Sequence, residues 1–279
     1  MKKDDPGVKE SLRTSPIGRR AAMVKRMGSP VAVTARLVSG ADSVRVTLAY
    51  AVALIAVSLT LTTLGQHARE VAVSRMSTNL HNLAHGRVAT LVGSAFVDGG
   101  GAVVAWLPGL VCLLALGELT WRGRGMLLAF AVGHVGATLI VAAGLVAAVE
   151  TGWLPASVSH ASDVGISYGA LGILGALTAA IPPHWRPVWA GWWIGTAVAA
   201  APAAGFTGVG HVVALLLGMG LSSRLPSMTR WTHPRVALLA GGAVFGVCVL
   251  SGPSLPSVVA GLAVALCAGP AAMAVTHSR

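Results

Sequence analysis

The chain predicts an all-α polytopic membrane protein, and three observations predict it. Hydrophobic residues make up 54% of the 279 residues and charged residues only 10%, where a soluble protein needs about 25% to cover its surface. The mean hydropathy is +0.74. Of the 29 formal charges, 14 fall within the first 45 residues, and the rest gather at intervals between long apolar runs. Lipid must solvate a chain of this kind, and only internally hydrogen-bonded helices or closed barrels survive there.

Residues 1–43 are rich in Lys and Arg, with Ser, Gly and Pro scattered among them. They read as a basic cytoplasmic tail without internal order. No short apolar region with a small-residue cleavage site follows the start, so no cleavable signal is expected. Eight apolar segments follow, near 44–64, 103–120, 126–149, 164–181, 187–204, 208–222, 235–251 and 255–275. Several fall slightly short of the ~20 residues that span a bilayer. With the N-terminus inside, seventeen Lys and Arg lie on the inner side and three on the outer. That asymmetry predicts eight crossings with both termini cytoplasmic. The net charge of +11 is thereby topogenic, and nucleic acid is not an expected partner.

The outer loop 65–102 differs from the other connections. It holds His67, His81, His85, Asn79 and Asn82, and an apolar run from Val88 to Val97 too short to span. A run of that length reads as interfacial or re-entrant. Cys112, Cys248 and Cys267 all lie in apolar segments and read as small buried residues. No Cys/His spacing suggests zinc, and phosphate-loop and dinucleotide motifs are missing.

Ser167 and His211 are the candidate catalytic residues. Both follow the outer ends of segments running outside to inside, so both lie ~5 Å below that surface at 1.5 Å per residue. Gly165, Gly169 and Gly172 make a small-residue stripe on the fourth segment. Gly210, Ala214 and Gly218 make one on the sixth. Such stripes let membrane helices pack backbone to backbone, which would bring a hydroxyl within reach of an imidazole base. Each residue alone has a plainer reading, a serine bonded back to its own helix or a satisfied polar contact.

Several motifs carry a family resemblance. Gly165-Ile-Ser167-Tyr-Gly169-Ala-Leu-Gly172 is similar to the fourth-helix Gly-x-Ser-Gly of the rhomboid intramembrane serine proteases. Gly210-His211-Val-Val-Ala214-Leu-Leu-Leu-Gly218 is similar to their sixth-helix His-x-x-Gly-x-x-x-Gly. Arg87-Val-Ala-Thr90 with Ser94-Ala-Phe96 resembles the first-loop Trp-Arg-x-x-Thr-x-x-Phe. Leu116-Gly117 and Trp121-Arg122-Gly123-Arg124-Gly125 resemble the turn after the second helix. The resemblance covers about 80–222 and implies a rhomboid-like six-helix core, 44–222, followed by two additional transmembrane helices in 223–279. It implies peptide-bond hydrolysis on a transmembrane protein substrate by a Ser167–His211 dyad, with no metal and no cofactor.

One departure stands out. The family's second-helix His-x-x-x-Asn, which holds the oxyanion, has no counterpart in 103–109. Ser167's own amide with His81, His85 or His134 could substitute, although His134 falls mid-membrane, where an internal polar contact is the plainer reading. The gap keeps a second expectation open, a rhomboid-like pseudoprotease that binds membrane-protein clients without cutting them. A transporter would show repeats or acidic groups within the spans. Glu118, at the inner end of the second segment, is the one acid there of that kind. A purely structural membrane protein is the plainest alternative. The Ala-, Gly-, Val- and Arg-rich composition points to a high-GC bacterial genome and a bacterial plasma membrane.

Overall fold

The computed structural model describes residues 42–97, 103–162, 164, 166–228 and 230–251. The elements below belong to the unit Val44–Arg279. The expected tail (but for its last two residues) and the eighth segment, 255–275, lie outside the described residues.

Helix α1 (Arg45–Leu64) is followed by three short helices, α2 (Gln66–Met76), α3 (Leu80–Ala84) and α4 (Thr90–Gly93). Next come α5 (Val103–Ala131), a π-helical turn (Val132–Gly136) and α6 (Ala137–Glu150). Helix α7 (Ser167–Ala176) ends in a 3-10 turn (Leu177–Ala179). Helices α8 (Arg186–Leu221) and α9 (His233–Ser251) complete the described chain. Among the described residues, four helical runs are long and apolar enough to cross a bilayer: Arg45–Leu64, Ala105–Glu150, Pro183–Arg224 and His233–Ser251. Two of these contain 46 and 42 residues, more than twice the ~20 that one crossing needs.

Each long run therefore makes two crossings. The first breaks at Arg122 (φ 60°, ψ 174°) and the second at Gly205 (φ 59°, ψ −137°). At the first break Met126 lies back against the Gly117 face. At the second, Gly208 abuts the Ala201 backbone. Positive φ is cheap only for glycine, which suits Gly205 to a turn of one residue. The fifth and sixth crossings thus match the expected segments, joined more tightly than separate loops allow.

Polar contacts bind one end of the bundle. Glu118 is buried and accepts from the Val46 amide (3.0 Å), the Thr47 amide (2.8 Å) and Thr47 Oγ1 (2.8 Å). A carboxylate from the second crossing thus caps the start of α1, where orphan amides and the helix dipole favour negative charge. Arg186 donates to the Ala179 and Ile181 carbonyls and to Ser227 Oγ, closing the C-terminal end of α7. Trp121 Nε1 donates to the Pro226 carbonyl and Arg235 to that of Leu119. Arg45, Arg122, Arg124, Arg186 and Arg235 share this basic end.

The core is built on glycine. A side chain at Gly172 would strike Gly133 Cα (2.6 Å) and the Ala129 carbonyl (2.7 Å). One at Gly218 would strike the Gly172 carbonyl, and one at Gly175 the Leu215 carbonyl. Helix α7 is thus wedged backbone to backbone between the third crossing and the second half of α8, and every residue from Tyr168 to Ala176 is buried. Helix α9 seats Gly241 on Cys112, Phe245 on Gly109 and Gly246 on Leu174 and Trp193, so it packs directly on the bundle.

Candidate functional site

Helix α7 positions Ser167. With its 3-10 turn it runs 13 residues, Ser167–Ala179, or roughly 20 Å. A hydrocarbon core is about 30 Å thick. Helix α7 with its 3-10 turn is thus roughly 10 Å shorter than such a core, and Arg186 holds its far end among the basic contacts. The helical run is shorter than the expected 164–181. Ser167 is half-buried at the first helical position. Ile166 precedes it at the N-cap and makes no side-chain cap hydrogen bond.

His211 lies on the second half of α8 and is 7% exposed. Its ring meets the edge of Tyr168, the residue after Ser167, with centroids 5.6 Å apart. Gly210 lies directly against the Tyr168 ring, so a side chain there would expel it. The two segments carrying Ser167 and His211 are therefore in contact at one level. No hydrogen bond joins the two residues: His211 Nε2 is buried and has no partner among the described residues. Tyr168, inserted where the family motif has glycine, occupies the flank of the imidazole.

A second serine–histidine pair lies on the other side of the third crossing, and sequence reasoning did not find it. Ser94 Oγ and His134 Nε2 are 3.2 Å apart, with Ser94 1% and His134 4% exposed. Thr78 Oγ1 donates to Ser94 Oγ (2.9 Å) and to the Thr90 carbonyl (3.2 Å). The loop does re-enter the bundle: Tyr50, only one turn and a half into α1, donates its hydroxyl to the Ala95 carbonyl and packs on Phe96 and Phe130. His134 sits in the π-helical turn, whose extra residue lets Gly133 face α7 while His134 bonds the loop. Its internal polar contact was expected; the partner was not. The signal available was a mid-span histidine, which needs a partner, and Thr90 and Ser94 one turn apart.

The remaining loop histidines gather elsewhere. His81 stacks on His160 (4.7 Å) and packs on His85 (4.3 Å). Partial desolvation in this stack, then the charges of His85, His160 and Arg87, hold the His81 pKa below its ordinary value. Among the described residues no group of three His, Cys, Asp or Glu has the geometry to hold a metal.

A serine at the start of a short buried helix, a histidine on the facing crossing and a re-entrant first loop agree with one outside comparison: a family model for rhomboid-like proteins matches residues 41–230. The chain belongs to the rhomboid-like family. The match spans α1 through the second half of α8 and ends just before α9. No curated protein and no solved structure matches the chain.

Proposed function

We propose that the chain is an intramembrane serine protease in which Ser167 is the nucleophile and His211 the base. The observation that carries this reading is the buried His211 Nε2, left without a partner among the described residues beside the start of α7. A nitrogen in that state costs free energy unless a partner arrives, and Ser167 is the nearest nucleophile in sequence to the tyrosine it touches. The Ser167 hydroxyl attacks the scissile carbonyl carbon and its proton passes to Nε2. The tetrahedral oxyanion is met by the Ser167 amide, and the protonated imidazole then releases the proton to the leaving amine. Water hydrolyses the acyl-enzyme by the same route in reverse. The substrate is a transmembrane protein, and the chain lies in a bacterial plasma membrane with both termini cytoplasmic, the basic end inward.

A second reading, a pseudoprotease that holds membrane-protein clients, is favoured by the Ser167–His211 pair lacking a hydrogen bond and by the missing second-helix His and Asn. Fluorophosphonate labelling of the purified full chain separates the two. Labelling of the wild type and of Ser94→Ala, lost in Ser167→Ala, supports the protease. Equal labelling of wild type and Ser167→Ala, or none in either with no cleavage across a substrate panel, overturns it.

A further inference from the structure

We propose that the basic end of the bundle binds an anionic phospholipid, its phosphate among Arg45, Arg122 and Arg124 and one acyl chain in the apolar slot beside them. Two cavities carry the proposal. The first, about 620 Å³, is lined by these three arginines with Val46, Trp121, Gly123 and Leu127. All three arginines are exposed, and none has a hydrogen-bond or ion-pair partner among the described residues. Glu118 lies under Gly123, but its oxygens are taken by the start of α1. Three uncompensated cations thus converge on one hollow.

The second cavity, about 230 Å³, is lined by Tyr50, Leu91, Phe96, Leu114, Phe130 and Val135, among others. It shares Val46 and Leu127 with the first, so the two lie side by side. It extends along the third crossing from Met126 to Val135, ~14 Å of helix rise, which suits a stretch of acyl chain. The Tyr50 hydroxyl bonds the Ala95 carbonyl and leaves the slot walled by hydrocarbon. A charged hollow beside an apolar slot matches a lipid, head and tail, and no soluble anion has a use for the slot. Basic pockets between membrane helices select anionic head groups, and three guanidinium groups repel the choline of a zwitterionic one.

The test uses the purified full chain in neutral detergent, with phosphatidylglycerol and phosphatidylcholine followed by native mass spectrometry. Phosphatidylglycerol is expected to bind at least tenfold more tightly. The triple variant Arg45→Gln, Arg122→Gln, Arg124→Gln should lose on the order of 100-fold, about fivefold per arginine near an anionic head group. The triple Arg→Lys variant should keep most of it. A phosphatidylglycerol with a photoreactive acyl chain should crosslink within 91–96 and 126–135, and Ala131→Trp, at an exposed position lining the slot, should remove those crosslinks with the arginines intact. Undiminished binding by the Gln variant, equal binding of both lipids, crosslinks elsewhere, or full displacement by inorganic phosphate would overturn the proposal, the last in favour of a soluble anion.

Discussion

Two serine–histidine pairs flank the third crossing, and they are built in opposite ways. Ser94 and His134 are hydrogen-bonded to each other, and Thr78 feeds the same network. Ser167 and His211 sit on helices held together by glycine contacts, and His211 Nε2 has no partner among the described residues. Satisfied polar groups in a low-dielectric interior hold a structure in place, because breaking them strands a donor or acceptor. An unsatisfied nitrogen holds nothing, yet it can take a proton from an incoming group. The bonded pair thus fits a pin for the re-entrant loop, and the unbonded pair fits chemistry.

The strongest way to break this comparison is to exchange the pairs' fates. Ser167→Ala and His211→Ala should each lower cleavage of a transmembrane substrate by ~10³-fold or more, since a nucleophile and its base act as a unit. Ser94→Ala should leave labelling of Ser167 in place, and loss of labelling there with the fold intact would reassign the nucleophile. Next in size, Gly218→Val places a side chain against the Gly172 carbonyl. Backbone cannot yield as a flexible side chain can, so a loss of about 3 kcal/mol or more is expected in detergent unfolding. The same substitution at Gly144, where nothing lies within 4 Å, should cost far less.

Smaller effects sharpen the contrast. Ser94→Ala and Glu118→Ala should each destabilise by about 1–3 kcal/mol through stranded partners, read as lower melting temperatures. Ser94→Ala should also raise proteolysis of the 78–97 loop, which Glu118→Ala should not. The smallest effect is one of pH. His81 has a folded pKa below its ordinary value, so the folded loop binds its proton less readily than the unfolded chain. The stacked contact with His160 is fully present above the ordinary histidine range and weakens as pH falls through that range toward the lowered pKa. Loop proteolysis should rise on acidification in the wild type and lose that dependence in His81→Phe.

Much of the architecture was written in the apolar segments. Seven of the eight expected crossings are helical, and the eighth, 255–275, lies outside the described residues. The small-residue stripes were legible in part. Gly172 and Gly218 do meet, whereas Gly169 faces the Phe130 ring and Gly210 the Tyr168 ring. Spacing places residues on a face but does not say which side chain fills the space opposite. The depth of the loop was not legible either, because residues 88–97 have no period that reports insertion. The pairing of Ser94 with His134 spans 40 residues and leaves no local trace. Glu118 read as a lone acid at the end of a span, since two of its three partners are backbone amides, which every residue but proline supplies.

The single-residue turn at Gly205 has a consequence for how the protein is made. A mostly apolar helical run of 42 residues folded back at one glycine offers no soluble connection on which the insertion machinery could pause. The Trp-rich crossing and the one bearing His211 must enter the bilayer together, as a preformed helical hairpin. An epitope tag inserted after Gly205 would part them during synthesis, long before any substrate arrives.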